Sequence, residues 1–318
     1  MQIGLMMRSG NNGGTGARKA LRWADLRAMA LLAEEIGVDT LGAPDHLLFR
    51  NAPPTVSLPA GETRGVWECF TLLTALAAST KRVTLLPLVA CTGFRNPALL
   101  AKIADSLDEV SGGRVLLGLG AGWHGPEYAA YGYPFDRRVS RFEEALQIIV
   151  PLLKGESVTR NGRYYSVTDC TLFPRGPRSG GPPIWIGARR PRMLGLVARY
   201  ADAYNTDMLL DVDDAKPAEE LFAIVEGACR EVGRDPATLR RTSGCSLGLA
   251  GFEDVPAGPP SVILHGSNDE IIDKLAAYAA IGVEHFTVWL HPWTLQSVER
   301  LAPIVEAAHK MEAGTHTQ

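Results

Sequence analysis

Apolar and polar positions change period repeatedly along this chain. Short, continuous apolar runs alternate with longer stretches in which apolar residues recur every three or four positions. The runs predict strands over Gln2–Met7, Asp39–Ala43, Arg82–Ala90, Arg114–Leu119, Ile184–Gly187, Ala203–Asp207, Arg241–Leu247 and His285–Leu290. The helical spacing predicts helices over Ala20–Ile36, Trp67–Ser79, Pro97–Val110, Ser140–Leu153, Met193–Tyr200, Ala218–Val232, Asp269–Ile281 and Leu295–Met311. Gly37 and Gly233 stand where a helix closes with a left-handed residue. Strands apolar throughout suit a parallel sheet covered on both faces. Eight strand–helix repeats predict an α/β fold, a (β/α)8 TIM barrel. The Pro-rich stretches 51–66, 171–183 and 251–266 fall inside repeats and read as loop insertions at the carboxyl face, so residues 1–318 read as one domain.

Composition narrows the function classes. With 35 acidic against 32 basic side chains the net charge is -3, which offers no field for a nucleic acid partner. No stretch approaches the roughly 18–20 apolar residues of a membrane span, and the first apolar run is too short for a signal segment, so a cytoplasmic protein is expected. The cysteines (Cys69, Cys91, Cys170, Cys229, Cys245) are scattered without metal-binding spacing. His124, His265 and His291 lie near carboxyl-end loops, but no HxH or HExxH pair occurs and no metal is expected. No GxSxG elbow supports a hydrolytic triad.

In a barrel the chemistry sits on the loops after the strands. The second strand leads into Asp45-His46, a pair that either supplies a proton donor or caps a turn. The third ends in Ala90, Cys91 and Thr92, small residues that leave space for a flat ring or simply pack. After the fourth, Gly120, Ala121 and Gly122 let backbone pass close to a bound molecule or serve a tight turn, and Trp123 and His124 follow. The fifth ends in Gly187, Ala188, Arg189 and Arg190 before Pro191, a helix start whose free amides and two guanidinium groups favour a phosphate over a merely solvated basic turn.

Several of these segments resemble the luciferase-like monooxygenase superfamily, particularly the deazaflavin (coenzyme F420)-dependent oxidoreductases. They are Ala33–Asp39 leading to Asp45-His46, Arg95–Lys102, Leu107–Arg114 through Trp123, Pro182–Gly187 through Tyr204-Asn205, and Glu231–Pro236. The resemblance implies an isoalloxazine-type ring at the carboxyl face, with His46 handling a proton beside it and Asp45 before it. It also implies a non-proline cis peptide at the end of strand three, in the region of Ala90, Cys91 and Thr92, and phosphate contacts from Gly120–Trp123 and Gly187–Arg190. Trp67, Trp123 and His124 are expected to line the substrate cavity. Sugar-phosphate dehydrogenases of the family carry a glutamate where Trp123 stands. Its absence turns the expectation from that substrate to a less polar one, and Glu127 suits a salt bridge or a helix cap as readily as catalysis.

The implied function is hydride transfer to or from a small organic substrate with F420. The alternatives are an FMN-dependent monooxygenase, using O2 and a partner flavin reductase, and a ligand-binding barrel without catalysis. A homodimer is expected by resemblance alone.

Overall fold

The computed structural model describes residues 1–10, 21–50, 58, 61–206, 212–250 and 263–312. The amino-terminal half runs β1 (Gln2–Met6), α1 (Trp23–Glu35), β2 (Thr40–Ala43), β3 (Leu48–Arg50), β4 (Thr63–Gly65), α2 (Cys69–Ser79), β5 (Thr84–Pro87), β6 (Ala90–Cys91), α3 (Pro97–Ser111), β7 (Leu117–Gly120), α4 (Gly125–Tyr131) and α5 (Arg138–Leu153). It continues through β8 (Val158–Asn161), β9 (Ser166–Cys170), β10 (Ile184–Gly187), α6 (Pro191–Tyr200), β11 (Ala203–Asn205), α7 (Lys216–Glu231), β12 (Arg240–Leu249), β13 (Ile263–Gly266), α8 (Asn268–Ala280), β14 (Val283–His291), α9 (Leu295–Glu299) and α10 (Ala302–His309).

Parallel neighbours follow the order β5-β2-β1-β14-β12-β11-β10-β7-β6, and β13 adds to β12. β5 and β6 are two pieces of one stave, and a parallel bridge between Leu85 and Val115 closes the ring on the far side. The result is the eight-stave barrel expected from the repeats. The third stave differs from expectation: it breaks after Pro87, and the non-proline cis peptide lies at Leu88–Val89, ahead of Ala90–Thr92. The final helix also divides, into α9 and α10, where Pro303 lacks the N–H that a continuous helix needs. Asp207, expected in strand six, lies outside the described residues. Two antiparallel hairpins between the staves, β3–β4 and β8–β9, are not announced by the apolar pattern.

Alternation sorts each stave into two faces. Ile3, Leu5 and Met7 of the first stave join the large apolar layer beneath the helices, with Leu41, Leu117, Leu119, Phe286, Val288 and Leu290. The intervening residues face inward. A Cβ on Gly4 would come within 2.7 Å of the His285 ring, which shows how tightly the barrel floor is filled. There His285 Nε2 lies 2.8 Å from Thr40 Oγ1, and Trp185 meets the imidazole edge-on at 4.9 Å. Burial, and then the charge of Arg240, pushes His285 down to about 3 and keeps it neutral. The floor is closed, so the open end is the mouth.

Candidate functional site

The chain leaves β2 as Pro44-Asp45-His46, and the two polar neighbours part company. Asp45 is 4% exposed and turns back between the staves and the helices. Its carboxylate accepts two hydrogen bonds from Arg95, at 2.6 and 3.0 Å, and a third from the Cys91 amide at 2.8 Å. Arg95 also donates to Glu68 at 2.6 Å, and Glu68 caps α2 by accepting from the Thr71 amide. Burial works against the Arg95 cation, but the hydrogen bonds and charge of Asp45, then Glu68, hold its pKa above the ordinary value. This bidentate pair ties the exits of two staves together.

His46 faces the mouth. Its Nδ1 lies 2.8 Å from Glu127 Oε1, and Glu127 Oε2 accepts the Leu47 amide at 2.8 Å. Glu127 is 1% exposed, in the first turn of α4. A buried carboxylate at Nδ1 fixes the proton there and leaves Nε2 as the exchanging nitrogen. Phe49 of the β3–β4 hairpin packs on the imidazole at 4.3 Å, and Trp123 meets it edge-on at 5.3 Å. Trp123 is 48% exposed and presents an open aromatic face beside His46. His124 is buried, and its Nε2 accepts the Arg50 amide at 3.2 Å, which fastens the hairpin to the α4 entrance. Burial lowers its pKa, with Glu127 opposing and His46 reinforcing the shift, so its ring is a neutral strut.

The third and fourth staves meet at this same end. Ala90 stands in register with Leu119 and Cys91 with Gly120. Thr92 Oγ1 donates to the Gly120 carbonyl at 3.4 Å. Cys91 Sγ lies 2.8 Å from the Tyr128 hydroxyl, which also reaches the Ala121 carbonyl at 3.1 Å. Burial pushes the Cys91 thiol up to about 12, more than the Tyr128 hydrogen bond lowers it, so the sulfur is no nucleophile at neutral pH. Gly122 has φ +74°, and a Cβ there would run into the Tyr128 hydroxyl and approach Cys91 Sγ to 2.7 Å. Only glycine fits this crossing.

One step past the Leu119–Ile186 pair, Gly120 and Gly187 leave adjacent staves. A Cβ on Gly187 would find only the Asn205 carbonyl, at 3.8 Å, so the space over β10 is open. Tyr204 donates to the Ala188 carbonyl at 2.8 Å and sets the turn. Arg189 and Arg190 follow, both exposed, with Arg190 at the amino-terminal cap of α6 and no side chain capping that end. Trp67 is 44% exposed, its indole donates to the Leu21 carbonyl at 2.9 Å, and its amide donates to the Ser9 carbonyl at 2.9 Å.

The structure thus gathers His46, Trp123 and His124 around Phe49, and separately aligns the glycine exits with the arginines. Sequence reasoning did not find the His46–Glu127 pair, because its members are 81 residues apart and adjacency favoured Asp45. Among the described residues no three His, Cys, Asp or Glu side chains group as metal ligands, and no helix is long and apolar enough to cross a membrane.

Comparison with known proteins adds the lineage. The phthiodiolone/phenolphthiodiolone dimycocerosates ketoreductase of Mycobacterium tuberculosis is 34% identical over 278 residues, covering 81% of this chain and 70% of that protein. An F420-dependent secondary alcohol dehydrogenase in complex with an F420-acetone adduct is similar in structure at a TM-score of 0.77 and 18% identity, covering 96% of this chain and 98% of that one. A riboflavin lyase with modified FMN and riboflavin reaches 0.76 at 14% identity, covering 99% of this chain and 93% of that one. Residues 1–250 match the luciferase-like monooxygenase family, and the protein belongs to that family.

Proposed function

We propose that this protein is an F420-dependent oxidoreductase that reduces or oxidises a small organic substrate at the carbonyl/alcohol level. The observation that carries the reading is His46, held by buried Glu127 at Nδ1 beside the exposed face of Trp123. The residues fit a flat ring with an anionic tail. Open space over Gly187 and the small exits of β6 and β7 accommodate the ring, and Arg189 and Arg190 at the uncapped start of α6 suit the phosphate. When bound, the deazaflavin supplies or accepts the hydride.

The chain's own residues manage the rest. In carbonyl reduction His46, doubly protonated, gives its Nε2 proton to the substrate oxygen while Nδ1–H stays on Glu127. In alcohol oxidation neutral His46 takes that proton at Nε2. Asp45 does not reach the mouth and acts as a positioning residue through Arg95 and the Cys91 amide. The kinship with a ketoreductase supports the carbonyl assignment.

Absorbance titration of the purified protein decides between cofactors. Saturable, micromolar binding of F420, weakened at least tenfold in an Arg189→Met/Arg190→Met variant, is the expected result. Micromolar binding of FMN without binding of F420 would replace this reading with the FMN monooxygenase and its reductase partner. Binding of neither would leave a ligand-binding barrel.

A further inference from the structure

The exits of β1 and β14 hold a second set of polar side chains that proton transfer does not use. Inward positions of β14 run His285, Thr287, Trp289 and His291 from floor to mouth, and the inward positions of the first stave end in Arg8. Arg8 donates to His291 Nδ1 at 2.9 Å. A ring nitrogen accepts only without a proton, so His291 is neutral. Burial, then the charge of Arg8, pushes it down to about 3. The guanidinium therefore meets no counter-charge: among the described residues its hydrogen bonds go to the His291 ring alone. Burial, reinforced by the charge of Arg64, brings Arg8 down to about 10.

Arg64 has the charge of Glu62 beside it, but a cation such as Arg8, held off solvent by a neutral ring, is unfavourably placed until an anion completes it. Nearby polar atoms are also incomplete. Trp289 Nε1, Ser9 Oγ and Trp293 Nε1 are buried without hydrogen-bond partners among the described residues. Beside them stand the small residues Ser246 and Gly248 of β12, in register with Trp289 and His291. Arg64 packs against Gly10 and lies directly opposite Phe49 in the hairpin, so the two side chains leave the same face. Phe49 in turn packs on His46 at 4.3 Å. The cationic corner and the imidazole share one mouth.

We propose that Arg8, assisted by Arg64 and the Trp289 indole N–H, is an anion site, and that the substrate is an amphipathic organic acid. Its carboxylate or phosphate sits on Arg8, its apolar body lies along Phe49 and Trp123, and its reacting carbon faces His46. The substrate half rests on the oxidoreductase reading; the anion site does not.

The test is made without cofactor. Tryptophan indole N–H signals are followed by nuclear magnetic resonance in 15N-tryptophan-labelled protein, with the Trp289 peak assigned by Trp289→Phe, during titration with acetate and separately with inorganic phosphate. A saturable shift of the Trp289 peak with at least one probe is expected, and the stronger probe names the group. Arg8→Met weakens it at least tenfold, and Arg189→Met/Arg190→Met leaves it unchanged. Arg8→Lys, which keeps the charge but loses the fork, weakens it less and carries the test should the methionine variant not fold. No saturable shift with either probe, or a folded Arg8 variant that titrates like the wild type, overturns the proposal. Failure of F420 to bind would leave this result standing, and failure here would leave the cofactor titration untouched.

Discussion

Two sides of the barrel mouth handle charge in opposite ways. At the exit of β2 every charged group has its complement: Asp45 with Arg95, Arg95 with Glu68, His46 with Glu127. At the exits of β1 and β14 a guanidinium rests on a neutral imidazole. On the first side Asp45–Arg95 fixes geometry and Glu127 holds the imidazole. On the second, no counter-charge stands among the described residues, as expected of a recognition site.

The largest expected effect falls on turnover. His46→Ala lowers kcat by 10²- to 10⁴-fold, the usual weight of a general acid–base group, with little change in cofactor affinity. Steady-state kinetics with separately measured binding checks this, and full turnover would remove the proton role. Next comes the buried pair. Asp45→Asn leaves Arg95 poorly compensated and costs about 3–5 kcal/mol in urea unfolding. Arg8→Met, by contrast, shifts stability by less than about 1 kcal/mol, because among the described residues the charge it removes is held by a neutral imidazole alone. If the two variants cost the same, the contrast between the two sides is broken.

Gly122→Ala costs about 1–3 kcal/mol, since alanine must hold φ +74° and displace the Tyr128 hydroxyl, and it is read by the same unfolding measurement. The last effect is a slope. His285 stays neutral in the fold down to about pH 3 but takes a proton near 6.5 when unfolded, so stability falls as pH drops from about 6.5 toward 3. His285→Gln makes this decline shallower by about 1.4 kcal/mol per pH unit, measured as unfolding free energy from pH 6 to 4. An unchanged slope would mean that the floor histidine is not the sensor.

Much of the fold was legible because a stave buried on both faces must be apolar throughout, and its helix must be apolar on one side. The hairpins were not, since three-residue strands such as Leu48–Arg50 carry too few positions to show a period. The split third stave was hidden because its sequence stays apolar across Leu88–Val89. In the site, His46 was legible from its place after a strand. Its partner was not: Asp45 and His46 are neighbours in sequence, yet the chain sends them to opposite sides, and Glu127 arrives from another helix. Arg8 falls just past the first apolar run, and its inward orientation only has meaning once β14 lies alongside.

Arg114 donates to the carbonyls of Ala77, Thr80 and Val83, fastening the turn before β5 to the segment that enters β7. Beyond it, β5 meets β7 through Leu85, which accepts from Leu116 and donates to Arg114, and the stave is joined again only at the short β6–β7 seam. The cylinder is thus stitched along most of its circumference but held here by one button at Leu85 beside the two-pair β6–β7 seam. Slow opening of the native state begins at this button, so the amides of Leu85 and Leu116 exchange with deuterium ahead of those in the long β12–β14 seam.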